Sequence, residues 1–160
     1  ASLGAAGAVG GGAPWFSLEV GGTGVREDVA AEQRFWAHEP HVGKDDPCPV
    51  LVLGRARQVE WWRALLSDEA FQALSRQHFQ IEPCQRRRPP PGAATGVAEA
   101  TFAARNLSER NPIRVCSSAD AIEAAPSLDV DEAQPLHHGD VISVNPTKGS
   151  SVWLLFREPR

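Results

Sequence analysis

The chain has 160 residues and a mass of 17.2 kDa, which leaves room for one domain built around one hydrophobic core. Hydrophobic residues at 42% and charged residues at 22% are the proportions of a packed globular protein, while 14 Gly and 13 Pro argue against a helical bundle and for short strands joined by loops. A net charge of -4 and a pI near 5.7 argue against a dedicated nucleic-acid binder, and no apolar run approaches the roughly 18 residues of a membrane span.

Residues 1–13 are an Ala/Gly-rich lead-in that is expected to be disordered, because it cannot bury enough apolar surface to order itself. With no basic residue it does not read as a signal peptide, and without an initiating Met the chain reads as a piece of something longer. The domain is expected over residues 14–158. Trp15 to Val20 reads as a first strand closed by Gly21-Gly22. A short helical piece is expected around Asp28 to Trp36, then a turn-rich stretch from Pro40 to Pro49. Val50 to Leu53 is a continuous apolar run typical of a strand buried on both faces, and it ends at Gly54-Arg55.

From Gln58 to Ser75 the period lengthens. Trp61, Trp62, Leu65, Leu66, Phe71 and Leu74 recur at three- and four-residue spacings, with Ser67-Asp68 placed as a cap between two short helices. His78 to Glu82 alternates as a strand and stops at Pro83. Arg86-Arg87-Arg88-Pro89-Pro90-Pro91-Gly92 reads as an extended, exposed loop. Ala100 to Leu107 and Ile113 to Cys116 are further strands around a turn at Arg110-Asn111-Pro112. A long loop runs through Pro135, a tight turn at His138-Gly139-Asp140 leads into Val141 to Val144, and Val152 to Phe156 is the last strand. So many short, turn-punctuated strands predict an all-β sandwich with a helical insertion and long loops.

Charge is unevenly distributed: residues 54–114 hold ten arginines against six acids, a balance of +4, while the rest of the chain is -8. Arginine's planar fork suits bidentate binding of phosphate or carboxylate. Cys48, Cys84 and Cys116 are an odd, widely spaced set with no CxxC pair, which fits a reducing compartment and neither a disulfide framework nor a zinc site. His38, His41 and Cys48 lack a fourth metal ligand, so no metal or other cofactor is expected. The Gly-rich stretches lack the lysine of a phosphate-binding P-loop, and Ser75 with His78 lacks the Gly-x-Ser-x-Gly elbow of a serine hydrolase. Asn106-Leu107-Ser108 fits a glycosylation sequon, a match too short to carry weight. Trp61 and Trp62 are expected in the core.

Gly54-Arg55, Ser75-Arg76-Gln77-His78, the Asn106 to Asn111 turn and Leu136 to Ile142 with its Gly139-Asp140 occur at loop positions, in that order, and together resemble the forkhead-associated (FHA) domain. The resemblance spans about Trp15 to Phe156. It implies an FHA-like β-sandwich of two antiparallel sheets, without catalysis, that binds a phosphothreonine-containing protein or peptide on the loops at one end. It implies phosphopeptide-binding roles for Arg55, Ser75, Arg76, Arg110 and Asn111, and structural roles for Gly54, His78, Gly139 and Asp140. The local pattern departs from the family at Arg110, where a small hydroxyl residue is frequent, at Pro112 and Ile113 in place of Gly and Thr, and at Cys116 in place of a second Asn. An intracellular location, nuclear or cytoplasmic, is expected from the cysteine pattern and the lack of a signal-peptide pattern. The alternative reading is a degenerate FHA-like scaffold that makes phosphate-independent contacts through the Trp-bearing insertion.

Overall fold

The computed structural model describes residues 15–39, 50–84 and 100–159. The lead-in, the stretch around His41 and Cys48 and the Arg86 to Gly92 loop lie outside the described residues. Nine strands form two antiparallel sheets among the described residues: β1 (Phe16–Gly21), β2 (Phe35–His38), β3 (Leu51–Leu53), β4 (Phe79–Pro83), β5 (Phe102–Asn106), β6 (Arg114–Cys116), β7 (Ala133–Leu136), β8 (Val141–Asn145) and β9 (Val152–Arg157). One sheet runs β2-β1-β9-β8-β6 and the other β3-β4-β5-β7. The fold is the all-β sandwich expected from the sequence.

Alternation explains how the sheets face each other. In β1, Phe16, Leu18 and Val20 are buried while the residues between them are half-exposed, and Val152, Leu154 and Phe156 do the same in β9. In the facing sheet, Phe79 and Ile81 of β4 and Phe102 and Ala104 of β5 point inward. Phe16, Phe102 and Phe156 pack ring against ring at centroid distances of 5.0 to 6.2 Å, the offset and edge-on arrangements that aromatic quadrupoles favour.

Two elements differ from the sequence reading. The segment read as helical from Asp28 to Trp36 is a 3₁₀ turn at Ala31–Arg34 followed by β2, which pairs with β1 in the register Phe16↔His38 and Glu19↔Phe35. The long loop before Gly139 contains a 3₁₀ turn at Ala119–Ala124 and then β7, an edge strand that pairs with β5. Pro135 lies opposite Ala103 in that pair, and an edge strand tolerates a residue without an N–H because one of its sides needs no partner.

The insertion between β3 and β4 folds as α1 (Val59–Leu65) and α2 (Asp68–Ala73). Trp62 and Leu65 of α1 and Ala70 and Phe71 of α2 are buried. Trp61 stacks between Trp62 and Trp36, with centroids 4.6 and 5.2 Å apart, and its indole N–H donates to the Gln33 carbonyl. The insertion is tied to the loop after β1: Ser67 N–H donates to Gly24 O, Arg26 N–H to Leu65 O, and Arg26 Nε to Leu66 O. Ser67 caps α2, its hydroxyl accepting from Ala70 N–H at 3.2 Å. Ser67→Ala should therefore lower stability by about 1 kcal/mol, the usual value of such a cap; a urea midpoint unchanged from wild type would show that the tertiary contacts alone hold this helix.

Candidate functional site

β3 and β5 both run toward the same end of the sandwich, and there three loops meet. The first leaves β3 at Gly54, the second enters β4 from Leu74 to His78, and the third joins β5 to β6 over residues 107–113. Backbone hydrogen bonds hold the first two side by side: Arg55 N–H donates to Ser75 O at 2.9 Å, Ala56 N–H to Arg76 O at 3.1 Å, and His78 N–H to Leu53 O at 2.8 Å. A Cβ on residue 54 would lie 2.2 Å from the Arg76 carbonyl oxygen. Only glycine permits this approach of the two backbones.

His78 ties the second loop to the third. Its ring is fully buried; Nδ1 accepts from Ser75 N–H at 3.1 Å, and Nε2 lies 2.7 Å from Asn111 O. A backbone N–H can only donate and a carbonyl can only accept, so the ring must be neutral with its proton on Nε2. Burial pushes its pKa from 6.5 down to about 4, partly offset by the hydrogen bond to Asn111. The third loop is braced a second time by the Asn111 amide, which donates to Ala73 O at the end of α2 at 2.7 Å.

At the end of β5, Asn106 organises the third loop. Its buried side chain donates to Ser108 O and Leu128 O, both at 2.9 Å, and accepts from Ser108 N–H at 3.1 Å and Ile113 N–H at 3.3 Å. Ser108, also buried, is thereby aimed at the second loop: its hydroxyl accepts from Asn111 N–H at 3.0 Å and sits 2.7 Å from the Ser75 hydroxyl. Either hydroxyl can donate in this pair, because Ser108 keeps a second lone pair after accepting from Asn111, so the Ser75 hydroxyl can turn its proton to Ser108 or to a ligand.

The structure thus brings Arg55, Ser75, Arg76, Arg110 and Asn111 to one end, with Gly54 and His78 holding the loops. Ser75 is half-exposed, Arg76 and Arg110 are exposed, and Arg55 is half-exposed with Nη1 donating to Gln72 Oε1 at 3.0 Å. None of these three arginines has a carboxylate partner among the described residues. Gly139 and Asp140 belong to the opposite end, in the turn that leads into β8. Gly139 has φ +91° there, the Asp140 carboxylate accepts from His137 N–H at 2.8 Å, and Phe156 N–H donates to Asp140 O. No cluster of three or more metal-ligating side chains occurs among the described residues, and no helix there is long and apolar enough to cross a membrane.

Asn106, Ser108 and Gln72 are site residues that the sequence reading did not single out. The signal for the first two was present, because Asn106-Leu107-Ser108 has the spacing of an Asx turn, in which an Asn side chain accepts from the N–H two residues on. The same geometry hides the sequon, since the Asn106 amide nitrogen is buried and twice bonded. No signal pointed to Gln72, whose role depends on the packing of α2 against the Arg55 loop.

The chain matches no protein-family model and no curated protein sequence. Its architecture matches solved structures of FHA domains. It is similar to an engineered FHA domain with a Myc-pTBD peptide at 12% identity and a TM-score of 0.53, over 92% of this chain and 94% of that one. The FHA1 domain of yeast Rad53 is similar at 13% identity and a TM-score of 0.53, over 93% and 80% of the two chains. The MEK1 FHA domain is similar at 15% identity and a TM-score of 0.50, over 91% of each. The chain therefore has the FHA fold. At such identities the likeness speaks for architecture, and any functional argument rests on the loops themselves.

Proposed function

We propose that this FHA-fold chain is a phosphothreonine-binding module that reads a phosphorylated segment of a partner protein without catalysing any step, and that residues 14–158 form the binding domain. The observation that carries the reading is the half-exposed Ser75, its hydroxyl 2.7 Å from that of Ser108, on a loop end that also carries Arg55, Arg76 and Arg110, none of them with a carboxylate partner among the described residues. A phosphate dianion offers three acceptor oxygens and needs a hydroxyl donor and guanidinium groups of this kind. In this reading Arg55 exchanges its Gln72 partner for phosphate, Arg76 and Arg110 supply further positive charge, and Asn111, whose amide also holds Ala73 O, contacts the peptide backbone. Gly54 and His78 keep the three loops together, while Gly139 and Asp140 shape the far turn and do not touch the ligand. A nuclear or cytoplasmic setting is part of the same proposal.

Trp62 packs inward, while Trp61, expected in the core, is half-buried against Trp36 and bonded to the Gln33 carbonyl, which favours a packing role for the insertion over the scaffold alternative. Titration with an oriented phosphothreonine peptide library, with unphosphorylated peptides as control, tests the proposal. Arg55→Ala and Ser75→Ala should each weaken binding by roughly tenfold to a hundredfold, the range of a charge-assisted hydrogen bond worth ~1.5–3 kcal/mol. Phosphate-independent binding, or wild-type affinity in both folded variants, would leave the scaffold alternative in its place.

A further inference from the structure

A second positive feature adjoins the loop end. An open groove of about 340 Å³ is lined by Arg55, Val59, Arg63, Phe71, Gln72 and Arg76. The sequence builds it from three elements: the Gly54 loop contributes Arg55, α1 contributes Val59 and Arg63 one turn apart on one face, and α2 with the following loop contributes Phe71, Gln72 and Arg76. The Arg63 guanidinium lies over the Phe71 ring, 5.3 Å from its centroid, a cation–π contact that holds the charge at the groove wall. A neighbouring trough of about 270 Å³ shares Arg63, Phe71 and Gln72, but its other cation, Arg26, is paired with Asp68 at 3.3 Å. Arg55, Arg63 and Arg76 have no such counter-charge among the described residues.

Three guanidinium groups around one groove repel one another, and a bound anion relieves that repulsion. Half-exposed Val59 adds an apolar patch to the groove, and Phe71 backs the Arg63 guanidinium from below. Arg55 and Arg76 also flank Ser75, so a segment held at the loop end reaches the groove within a few residues of extended chain.

We propose that this groove is a second anion subsite, with Arg63 as its specificity-determining residue, and that the preferred ligand is a phosphothreonine segment carrying a further phosphate or carboxylate nearby. The proposal rests on the phosphothreonine reading above, and concerns the additional charge that the partner must carry.

The test measures affinities by fluorescence anisotropy for a phosphothreonine peptide and for two series derived from it, one with glutamate and one with phosphoserine placed in turn at each neighbouring position on both sides. In the wild-type protein at least one position should tighten binding by about tenfold, the size of one charge-assisted hydrogen bond. The ratio of affinities between doubly and singly charged peptides should fall toward one in Arg63→Gln. It should persist in Arg57→Gln, which removes an exposed charge from the same region outside the groove. A gain from phosphoserine alone assigns the subsite to phosphate, and equal gains assign it to any anion; both support it. The proposal is overturned if no position gains, if the gain survives in Arg63→Gln, or if Arg57→Gln removes it equally, which would mean a diffuse field. Binding of the singly phosphorylated peptide without any gain rejects the subsite alone, whereas failure of every phosphopeptide to bind rejects the phosphothreonine reading and the subsite with it.

Discussion

Asn106→Ala should destabilise the domain by about 3–5 kcal/mol, because it leaves the Ser108 and Leu128 carbonyls and the Ser108 and Ile113 N–H groups buried without partners, at ~1–3 kcal/mol for each group that cannot recover one. Ile113 and Leu128 are themselves buried, so water does not readily replace the lost side chain at all four positions. That loss is a large share of the ~5–15 kcal/mol that separates a folded domain from its unfolded chain. The loop would also lose the brace that aims Ser108 at Ser75, so phosphopeptide affinity should fall even where the fold survives. Asn111→Ala provides the comparison: it removes one half-exposed amide hydrogen bond, to Ala73, and should cost about 1 kcal/mol. Urea denaturation of the two variants measures the difference. A loss below about 1 kcal/mol for Asn106→Ala would show that the loop satisfies its own backbone in another way.

Acid should weaken the fold through His78 before the carboxylates titrate. Its pKa lies near 4 in the folded protein against ~6.5 in the unfolded chain, so the unfolded state takes up the proton first. The stability this residue contributes is complete above pH 6.5 and is lost as pH falls toward 4. The whole shift corresponds to about 3 kcal/mol, of which about 2 kcal/mol disappears between pH 7 and pH 5. The structural cause is specific: a proton on Nδ1 would face the Ser75 N–H, donor against donor, and the turn of the second loop from Ser75 to His78 would have to open. His78→Gln should be less stable than wild type at pH 7 but should show a shallower decline from pH 7 to pH 5. All other titrating groups are common to both proteins and cancel in the difference between the two slopes. Parallel pH profiles would mean that the buried ring does not stay neutral over this range.

The sequence by itself determined the fold class, most of the strands and the placement of the loop motifs, because each depends on neighbours within a few residues. The strand residues of Trp15 to Val20, the alternation in His78 to Glu82, the change of period at Gln58, and the cap at Ser67 are local signals, and each lies where the structure has the element. β2 and β7 were not legible for a physical reason. Phe35-Trp36-Ala37-His38 follows a polar, helix-like run and becomes a strand through its ladder with β1, and Ala133 to Leu136, interrupted by Pro135, is a strand only because β5 offers it an edge. Propensity is a weak guide where the decisive hydrogen bonds come from distant parts of the chain. The same division holds at the site. Gly54, Arg55, Ser75, His78 and Asn111 stand out as sequence motifs. That Ser75 reaches Ser108 across 33 residues, that Asn111 closes on Ala73 across 38, and that Arg55 rests on Gln72 across 17 are decided by the tertiary structure alone, because two backbones must first come as close as Gly54 and Arg76 allow before those side chains can meet.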